Sequence, residues 1–397
     1  MASTTQPKLS GTVLIHADDE LHGPEVAPSI SVTTTFRAAN PLEVPKAEFD
    51  MWDPQRHVYS RYTQNVSSRV ERVLSKINEG YAVTYASGLA ASYAALVYFQ
   101  PKRVAVTAGY PGFPSTVEIY KRSRNADLPV IGIDDEFQAG DLCWLETPLN
   151  PTGEARDIKY YAEKVHAAGG WLVVDSTFAP PPIQYPFKWG ADIVMHSGTK
   201  YFGGHSDLLC GVLVAPTLEK WKELAYMRTF LGSMMGSLES WLLLRSLRTL
   251  HLRVPRQSDN AYGLVQWLAE ASKGAVYDGI PSGMINKVYH SSLQGVDARG
   301  FDPKTQLEGG WNATFGILMG HELYATLLPH SLEYFIPATS LGGVESLIEH
   351  RVLLDPKVDP RLIRISVGVE DLEDLKDDLR RAFQEIAQHP KVLELVQ

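Results

Sequence analysis

Hydrophobic and polar positions follow two different patterns along the chain, and the change lies near residue 231. Before it, short runs that are apolar throughout alternate with stretches of helical spacing. Continuous apolar runs between helices are typical of strands buried on both faces of a mostly parallel sheet. The strands predicted in this way are RVAVT (103–107), PVIGID (129–134), DLCWLE (141–146), WLVVD (171–175), DIVMHS (192–197) and LLCGVLV (208–214).

Apolar residues that recur three and four positions apart predict helices around these strands. The first such helix has the apolar set Val70, Val73, Leu74 and Ile77. Ser68 and Glu71 are spaced as a capping box at its start. A later helix has the apolar set Ile158, Tyr161, Ala162 and Val165. The stretch YASGLAASYAAL (85–96) predicts a turn in which Gly88 opens a helix of small residues.

The second half of the chain predicts a smaller α+β unit. A long helical pattern, SLESWLLLRSLRTLHLR (237–253), leads into a region whose strands look antiparallel. These strands are NKVYH (286–290), WNATFGILM (311–319) and LIRISVGV (362–369). A closing helix carries on one face Leu372, Leu375, Leu379, Ala382, Phe383 and Ile386.

These patterns, with the length of 397 residues, divide the chain into three parts. Residues 1–57 are rich in Pro, Ser and Thr with little periodicity, and we expect an extended N-terminal arm there. We expect residues 58–236 to form an α/β domain and residues 237–397 a C-terminal α+β domain. The predicted fold class is therefore α/β, with a large, mostly parallel sheet and a second, smaller domain.

Composition and charge argue against several classes of function. A net charge of −9 is unsuited to a nucleic-acid or anionic-membrane binder. Neither a membrane-spanning apolar stretch nor an apolar signal core occurs, so we expect a cytoplasmic protein. Cys143 and Cys210 lie in apolar runs and are expected to pack in the core. His196 and His205 lack a carboxylate pattern of metal-ligand type, so we expect no metal site.

Lys200 stands in an unusual setting, behind an apolar run and before a Gly-Gly pair in HSGTKYFGGHSD (196–207). A free lysine amine has a pKa of about 10.4, which burial or a nearby cation lowers. An amine that is neutral part of the time can form a Schiff base with an aldehyde cofactor. Pyridoxal 5′-phosphate (PLP) also needs an anion beside its ring nitrogen, donors for its phosphate and a flat group stacked on its ring.

Several residues are of the types that PLP would require. Asp175 ends an apolar strand, where a buried carboxylate needs a cationic partner such as a pyridinium. Gly88 opens a helix whose free N–H groups suit a phosphate. Ser197 and Thr199 add hydroxyl groups next to Lys200.

Two more residues suit a cofactor and its substrate. Asn150, in the turn ETPLNPTG, can hydrogen-bond the hydroxyl oxygen of the cofactor ring. Arg364, in a predicted strand, can hold a substrate carboxylate through two parallel hydrogen bonds. Each of these residues alone has an ordinary structural explanation, such as a cap or an ion pair. Their order along the chain is what points to one site.

That order resembles the Cys/Met-metabolism PLP-dependent enzymes, which include cystathionine γ-synthase, cystathionine β- and γ-lyases, methionine γ-lyase and O-acylhomoserine sulfhydrylases. The similarity extends from about residue 15 to residue 387. The matching stretches are YSRYTQN, ASGLAA, ETPLNPTG, VVDSTFAPP, HSGTKYFGGHSD, TSLGGVESL and RISVGVED. The resemblance implies an aspartate-aminotransferase-like fold (PLP fold type I) and PLP as the cofactor.

The resemblance also implies a role for each site residue. Lys200 would form the Schiff base with the cofactor, and Tyr59 and Tyr110 would be the other catalytic residues. The remaining cofactor-binding residues would be Arg61, Gly88, Leu89, Asn150, Asp175, Thr177, Ser197 and Thr199. The substrate would be bound by Asn150, Thr339, Ser340 and Arg364, the last through its α-carboxylate. Tyr59 and Arg61 would reach the cofactor of a neighbouring subunit, in a homotetramer built as a dimer of dimers.

The chain departs from the family pattern at the residue that stacks on the cofactor ring. The family has a tyrosine in a Tyr-Gly-Gly-Thr-like loop, whereas this chain reads GYPGFPST (109–116). One alignment places Tyr110 in that position and another places Phe113 there. A phenylalanine would remove the phenolic acid/base, and Tyr59 or a water would then assist the leaving group.

A second departure bears on the substrate. Cystathionine γ-synthases and γ-lyases often have Glu before the serine of TSLGGVESL, suited to a distal ammonium, and this chain has Thr339. The resemblance therefore favours γ-replacement or γ-elimination on an activated homoserine such as O-acetyl-L-homoserine, through a vinylglycine-type intermediate. The nucleophile would be a thiol or a stabilised carbanion. The alternatives are a cystathionine β- or γ-lyase (a C–S lyase) and a catalytically silent scaffold with the same fold.

Overall fold

The computed structural model describes residues 9–38, 40, 42, 50–125 and 127–396. Its helices are α1 (Gly11–His16), α2 (Asn65–Ile77), α3 (Gly88–Phe99), α4 (Gly112–Arg124), α5 (Ile158–Ala167), α6 (Leu218–Leu231), α7 (Ser237–Leu247), α8 (Leu250–Ala271), α9 (Pro303–Gln306), α10 (Glu322–Leu327), α11 (Leu372–Gln388) and α12 (Pro390–Val396). Its strands are β1 (Tyr81–Tyr85), β2 (Arg103–Ala105), β3 (Val130–Ile131), β4 (Asp141–Glu146), β5 (Trp171–Asp175), β6 (Ile193–Ser197), β7 (Gly211–Ala215), β8 (Ile285–Tyr289), β9 (Thr314–Met319), β10 (Ile336–Pro337), β11 (Leu347–His350) and β12 (Leu362–Ser366). None of the helices in these ranges is both long and apolar enough to cross a membrane.

The larger sheet has seven strands in the order β1-β7-β6-β5-β4-β2-β3. Strands β3, β2, β4, β5 and β6 pair in parallel, whereas β7 runs antiparallel to both β6 and β1. The six strands predicted from apolar runs are all present, and the mostly parallel sheet is confirmed. The edge strand β1 was not predicted, because Thr84 interrupts its short apolar run.

The carboxyl ends of three adjacent parallel strands meet at one edge of this sheet. Glu146 at the end of β4 is in register with Asp175 at the end of β5, and Asp175 is in register with Met195 in β6. Ser197 ends β6 two residues later. Open α/β sheets bind their ligands at this edge, so the topology itself marks a candidate site.

The smaller sheet has five strands in the order β10-β11-β12-β9-β8. Its pairings are antiparallel except for the short β10–β11 pair. The three predicted strands are confirmed as β8, β9 and β12, but the short strands β10 and β11 were not predicted. The predicted helix at 237–253 is two helices, α7 and α8, separated by Arg248 and Thr249. The domain boundaries near residues 57 and 236 stay a prediction.

The N-terminal arm is not extended throughout, which corrects the sequence prediction. Helix α1 begins after Ser10, whose hydroxyl caps its first turn. The fully buried Asp18 carboxylate then accepts hydrogen bonds from Arg69 Nε at 2.6 Å and Arg248 Nη2 at 3.1 Å. Both arginines are distant in the chain, so local periodicity could not indicate this packing. Other parts of the expected arm lie outside the described residues, namely 1–8, 39, 41 and 43–49.

The predicted capping box of α2 is also wrong. The helix begins earlier, after Gln64, and Ser68 lies within its first turns. Glu71 accepts hydrogen bonds from the N–H and the hydroxyl of Thr84, at 2.9 and 2.8 Å, and pairs with the Arg228 guanidinium. The Glu71 carboxylate therefore makes tertiary contacts instead of the helix cap that the local pattern predicted.

Candidate active site

Lys200 lies in the turn after β6, and its side chain reaches the loop between β10 and β11. Its Nζ donates a hydrogen bond to Ser340 Oγ at 2.6 Å. Burial, with a smaller contribution from the charge of Arg364, lowers the pKa of Lys200 to about 8. With this pKa about one amine in ten is uncharged at pH 7, whereas an exposed lysine is almost fully charged there, and only the uncharged amine acts as a nucleophile or a base.

Asp175 is a buried carboxylate held by Thr177. The N–H and the hydroxyl of Thr177 donate to Asp175 Oδ1 at 3.0 and 2.6 Å, and Ser197 N–H donates to Thr177 Oγ1 at 2.8 Å. Burial raises the pKa of Asp175, and the two hydrogen bonds from Thr177 oppose that rise. A cation beside this carboxylate would favour its charged form, so the site suits a protonated ring nitrogen.

The N-terminus of α3 faces the end of β6. Ser87 caps the helix by accepting a hydrogen bond from Ala90 N–H at 3.1 Å, and the N–H groups of Gly88 and Leu89 belong to the first turn, which has no intrahelical acceptors. A Cβ added to Gly88 would lie only 3.2 Å from Ser197 Oγ. The helix end and the serine hydroxyl therefore form one cradle of donors, suited to a phosphate.

Thr199 is placed differently from Ser197. Its Oγ1 accepts a hydrogen bond from Cys210 N–H at 2.9 Å and lies 3.3 Å from Cys210 O. This contact holds the loop before β7 against the Lys200 turn, and β7 begins at Gly211, directly after Cys210. The hydroxyl predicted to bind phosphate thus also has a structural partner.

Arg364 on β12 is buried among acceptors. Its Nη1 donates to Asn150 Oδ1 at 3.1 Å, and its Nη2 donates to Ser340 O at 2.8 Å and pairs with Glu349 on β11. Burial lowers the pKa of Arg364 to about 10, but the guanidinium stays charged at neutral pH. Ser340 has φ of +86°, an unfavourable conformation for a residue with a Cβ, and it contacts both Lys200 and Arg364. One strained residue therefore bridges the amine and the guanidinium.

Glu146 was missed by the sequence analysis, although it ends β4 as Asp175 ends β5. Its two carboxylate oxygens accept hydrogen bonds from the N–H groups of Tyr110 and Asn150, at 2.7 and 2.8 Å. Burial and the neighbouring Asp175 raise the pKa of Glu146. The position of an acid at the end of a second buried strand, in ETPLNPTG, was the signal that could have found it.

Comparison with known proteins agrees with this geometry. The family profile of Cys/Met metabolism PLP-dependent enzymes matches residues 11–384. The chain belongs to this family. It is 32% identical over 406 residues to cystathionine gamma-lyase of Saccharomyces cerevisiae, covering 94% of this chain and 97% of the relative. It is also 32% identical over 347 residues to cystathionine gamma-synthase of Mycobacterium tuberculosis, covering 82% and 86%. The metB crystal structure of Corynebacterium glutamicum superposes with a TM-score of 0.81 at 27% identity, covering 95% of this chain and 98% of that one.

Family membership establishes the fold type I architecture, the cofactor PLP and an enzyme of the trans-sulfuration type. The residues present fit the cofactor. A partly neutral amine, a buried carboxylate and a helix N-terminus lie at one sheet edge, and the close approach of Gly88 and Ser197 forms a cradle that a larger side chain would fill. When bound, PLP supplies the electron sink for breaking bonds at the substrate α-carbon.

The structure separates the two candidates for stacking on the cofactor ring. Phe113 is 3% exposed on α4, and its ring stacks on Trp144 with centroids 3.9 Å apart and planes 15° apart. Its ring is therefore part of the core, which corrects the expectation that it binds the cofactor. Tyr110 is 49% exposed, and its backbone is anchored by Glu146 at the edge that carries Asp175. The geometry thus favours Tyr110 as the stacking residue.

Tyr59 and Arg61 form a pair of their own, apart from the contacts of Lys200. The Arg61 guanidinium carbon lies 5.2 Å from the Tyr59 ring centroid and 5.7 Å from that of Tyr62. The Nε of Arg61 is buried and has no hydrogen-bond partner within the described ranges. The phenol of Tyr59 is part of a side chain that is 39% exposed. These ring contacts join Arg61 to Tyr59 and Tyr62, and they do not connect the pair to the other predicted site residues.

Thr339 lies at a cavity of about 900 Å³ next to Ser340. The cavity also reaches Thr199 and the start of α7, so it opens beside the Lys200 turn. Its lining includes three acidic side chains, Asp207, Glu239 and Glu345. Thr339 is exposed, so this cavity offers space for the distal part of a substrate.

The two histidines near Lys200 have packing roles. The His196 ring is buried 4.8 Å from the Phe202 ring, and burial lowers its pKa to about 3. His205 Nδ1 lies 2.9 Å from Gly203 O. No group of three or more His, Cys, Asp or Glu side chains in the described part of the chain is placed to hold a metal ion.

Proposed function

We propose that the protein catalyses γ-replacement or γ-elimination on an activated homoserine such as O-acetyl-L-homoserine, with a thiol or a stabilised carbanion as nucleophile. The observation that carries the proposal is that Lys200 and Arg364 both donate hydrogen bonds to Ser340. A substrate whose α-carboxylate binds Arg364 has its α-carbon near the Lys200 amine. Its side chain then extends past Thr339 into the cavity of about 900 Å³.

In this proposal the residues of the site divide the work. Lys200 would bond the cofactor aldehyde until the substrate amine displaces it. The freed amine would take the α-proton, pass that proton on to the bound cofactor, and only then take a second proton from Cβ. Asp175 would keep the ring nitrogen protonated, and Ser197 with the N-terminus of α3 would hold the phosphate. Asn150, which accepts a hydrogen bond from Arg364, would also contact the cofactor, and Tyr110 would cover the ring. The departing group leaves from Cγ into the cavity, where the nucleophile enters.

The neutral Thr339 supports a substrate whose side chain is uncharged, such as an acetyl ester, since a threonine hydroxyl gives no ion pair to a distal ammonium. A second candidate is C–S cleavage of cystathionine. It is supported by the three acidic side chains of the cavity, which suit an ammonium group at the far end of a substrate. The names of the yeast and mycobacterial relatives are consistent with both candidates.

A substrate panel tests the reaction type. Incubation with O-acetyl-L-homoserine and candidate nucleophiles is expected to release acetate. Lys200→Ala is expected to reduce the release by at least about 1,000-fold, because it removes the amine that bonds the cofactor and moves the protons in this proposal. Lys188→Ala is the matched control, since Lys188 pairs with Glu308 elsewhere on the surface.

The outcomes separate the two candidates. Release of acetate, 2-oxo acid or a new thioether from O-acetyl-L-homoserine supports the first. Thiol released from cystathionine without an added nucleophile supports the second. No acetate release with any nucleophile would overturn the first proposal.

We further propose that the enzyme is a homotetramer, a dimer of dimers in which Tyr59 and Arg61 complete the phosphate site of a neighbouring subunit. The support is the buried, unpaired Nε of Arg61. A buried guanidinium donor without an acceptor costs free energy, and an anion supplied by a second subunit would satisfy it.

A further inference from the structure

A buried trio of charges underlies the substrate-carboxylate site. Glu349 on β11 is in register with Arg364 on β12, and Arg351 follows Glu349 by two residues. One oxygen of Glu349 lies 2.8 Å from Arg351 Nη1, and the other contacts Arg364 Nη2. The three residues are between 5% and 7% exposed, so solvent screens these contacts little.

The trio carries two positive charges and one negative charge. Glu349 cannot give both of its oxygens to Arg364, because one is held by Arg351. Arg351 Nε is itself buried without a hydrogen-bond partner in the described residues. Arg364 therefore contacts only one oxygen of Glu349 and is not held in a bidentate internal ion pair.

We propose that Arg351 is a positioning residue that keeps Glu349 from competing with the substrate for Arg364. Without Arg351, the carboxylate of Glu349 would be free to turn both oxygens onto the Arg364 guanidinium. A bidentate internal ion pair in a buried site would then hold the donors that the substrate α-carboxylate needs. This inference rests on the proposed role of Arg364. It adds that Arg351 sets how tightly the Arg364 site binds the α-carboxylate of an amino acid.

A binding experiment with L-norvaline tests the inference. This amino acid has an α-carboxylate and the length of homoserine, but no leaving group, so its affinity does not depend on which reaction the enzyme catalyses. Arg351→Met is expected to weaken L-norvaline binding to the PLP-loaded enzyme about tenfold. The double variant Glu349→Gln/Arg351→Met is expected to bind within about threefold of the wild type, since the competing carboxylate is gone. Isothermal titration calorimetry gives the affinities.

The controls separate positioning from folding. Arg103→Met removes the partner of the buried Asp141 far from the site and is expected to leave L-norvaline affinity unchanged. If Arg351→Met does not fold, Arg351→Lys, with fewer donors, is expected to weaken binding in the same direction and to be rescued by Glu349→Gln. With O-acetyl-L-homoserine, Arg351→Met is expected to raise KM and to leave kcat within about twofold of the wild type.

The results that overturn the inference are distinct from those that overturn the proposed function. L-norvaline affinity that does not change in Arg351→Met, or is not rescued in the double variant, would show that Arg351 has only a structural role. If the wild-type enzyme does not bind L-norvaline, the proposal that Arg364 binds the substrate α-carboxylate is wrong. Binding that follows the expected pattern without acetate release would leave Arg351 as a positioning residue and reject only the reaction.

Discussion

At the scale of single residues, the site depends on charged groups whose ionisation is shifted in opposite directions by burial. The same burial that lowers the pKa of Lys200 raises the pKa values of Asp175 and Glu146. Each shift favours the neutral form of its group. A cofactor with a cationic ring nitrogen and an aldehyde would restore the charge of Asp175 and use the neutral form of Lys200. The pKa shifts of Lys200 and Asp175 in the isolated protein therefore suit a ligand of this kind.

The pKa of Lys200 gives a prediction for the attachment of PLP to the cofactor-free enzyme. Only the neutral amine attacks the aldehyde, so the rate should rise with pH and reach half of its maximum near pH 8, where an exposed lysine would need a pH near 10.5. Arg364→Met is expected to raise that midpoint, since it removes a positive charge that lowers the pKa. Stopped-flow absorbance measures the rate. A rate in the wild type that still climbs steeply around pH 10 would contradict the expected shift.

Residue types and chain order predicted one part of the site and missed another. Lys200, Asp175 and Arg364 stand out in sequence because each is a charged residue in an apolar strand or directly after one. Glu146 was missed although it ends an apolar strand as Asp175 does. Glu349 was missed because its importance comes from Arg364, which only the sheet places beside it. Phe113 could not be assigned from sequence, since its stacking partner Trp144 lies on another strand.

At the scale of helices and strands, strand ends and one helix start position the site. The parallel strands β4, β5 and β6 end together, and the loops after them carry Asn150, Thr177 and Lys200. Long apolar strands were predictable because burial on both faces leaves a continuous signal. The short strands β10 and β11 were not, although the segment between them carries Ser340. β11 pairs with β12 and β10 pairs only with β11, so both depend on a neighbouring strand that is distant from any local pattern.

The close contact between α3 and β6 gives a prediction for cofactor affinity. In Gly88→Ala, the added methyl group would meet Ser197 Oγ at 3.2 Å and Met195 Cε at 3.4 Å, so the serine side chain or the helix end must give way by a few tenths of an ångström. We expect PLP to dissociate about tenfold more readily, with little change in thermal stability, because alanine favours helix elsewhere. Equilibrium titration of the cofactor-free variant measures this.

Gly295 provides the matched control for that substitution. A Cβ there meets nothing within 4 Å, so Gly295→Ala is expected to keep the wild-type affinity for PLP. Equal affinity in Gly88→Ala and Gly295→Ala would show that the α3–β6 contact does not hold the phosphate.

At the scale of the whole molecule, the site is built by two sheets and has residues far apart in sequence. Lys200 follows β6 of the larger sheet, whereas Ser340 and Arg364 belong to the smaller one. Neither sheet alone has both an amine for the cofactor and a guanidinium for the substrate. Only the family resemblance predicted that Lys200 and Ser340 belong to one site. They are 140 residues apart in the chain, and no local pattern extends over that distance.

The proposed sharing of Arg61 between subunits gives a prediction that only an oligomer can satisfy. Lys200→Ala and Arg61→Ala are each expected to be inactive alone. In a symmetric dimer interface, a hybrid of the two variants has one site with both lesions and one site with neither. With random mixing, about half of the dimers are hybrids, and one of the two sites in each hybrid is intact. Co-expression is therefore expected to restore about one quarter of the wild-type acetate release.

Lys200→Ala co-expressed with Arg364→Met is the control for this complementation. Lys200 and Arg364 both contact Ser340 of the same chain, so no hybrid of these two variants contains an intact site. Activity restored by the first pair and not by the second would place Arg61 in its neighbour's site. If the first pair stays inactive while both proteins form mixed oligomers, Arg61 acts within its own chain, and its buried Nε must be satisfied there instead.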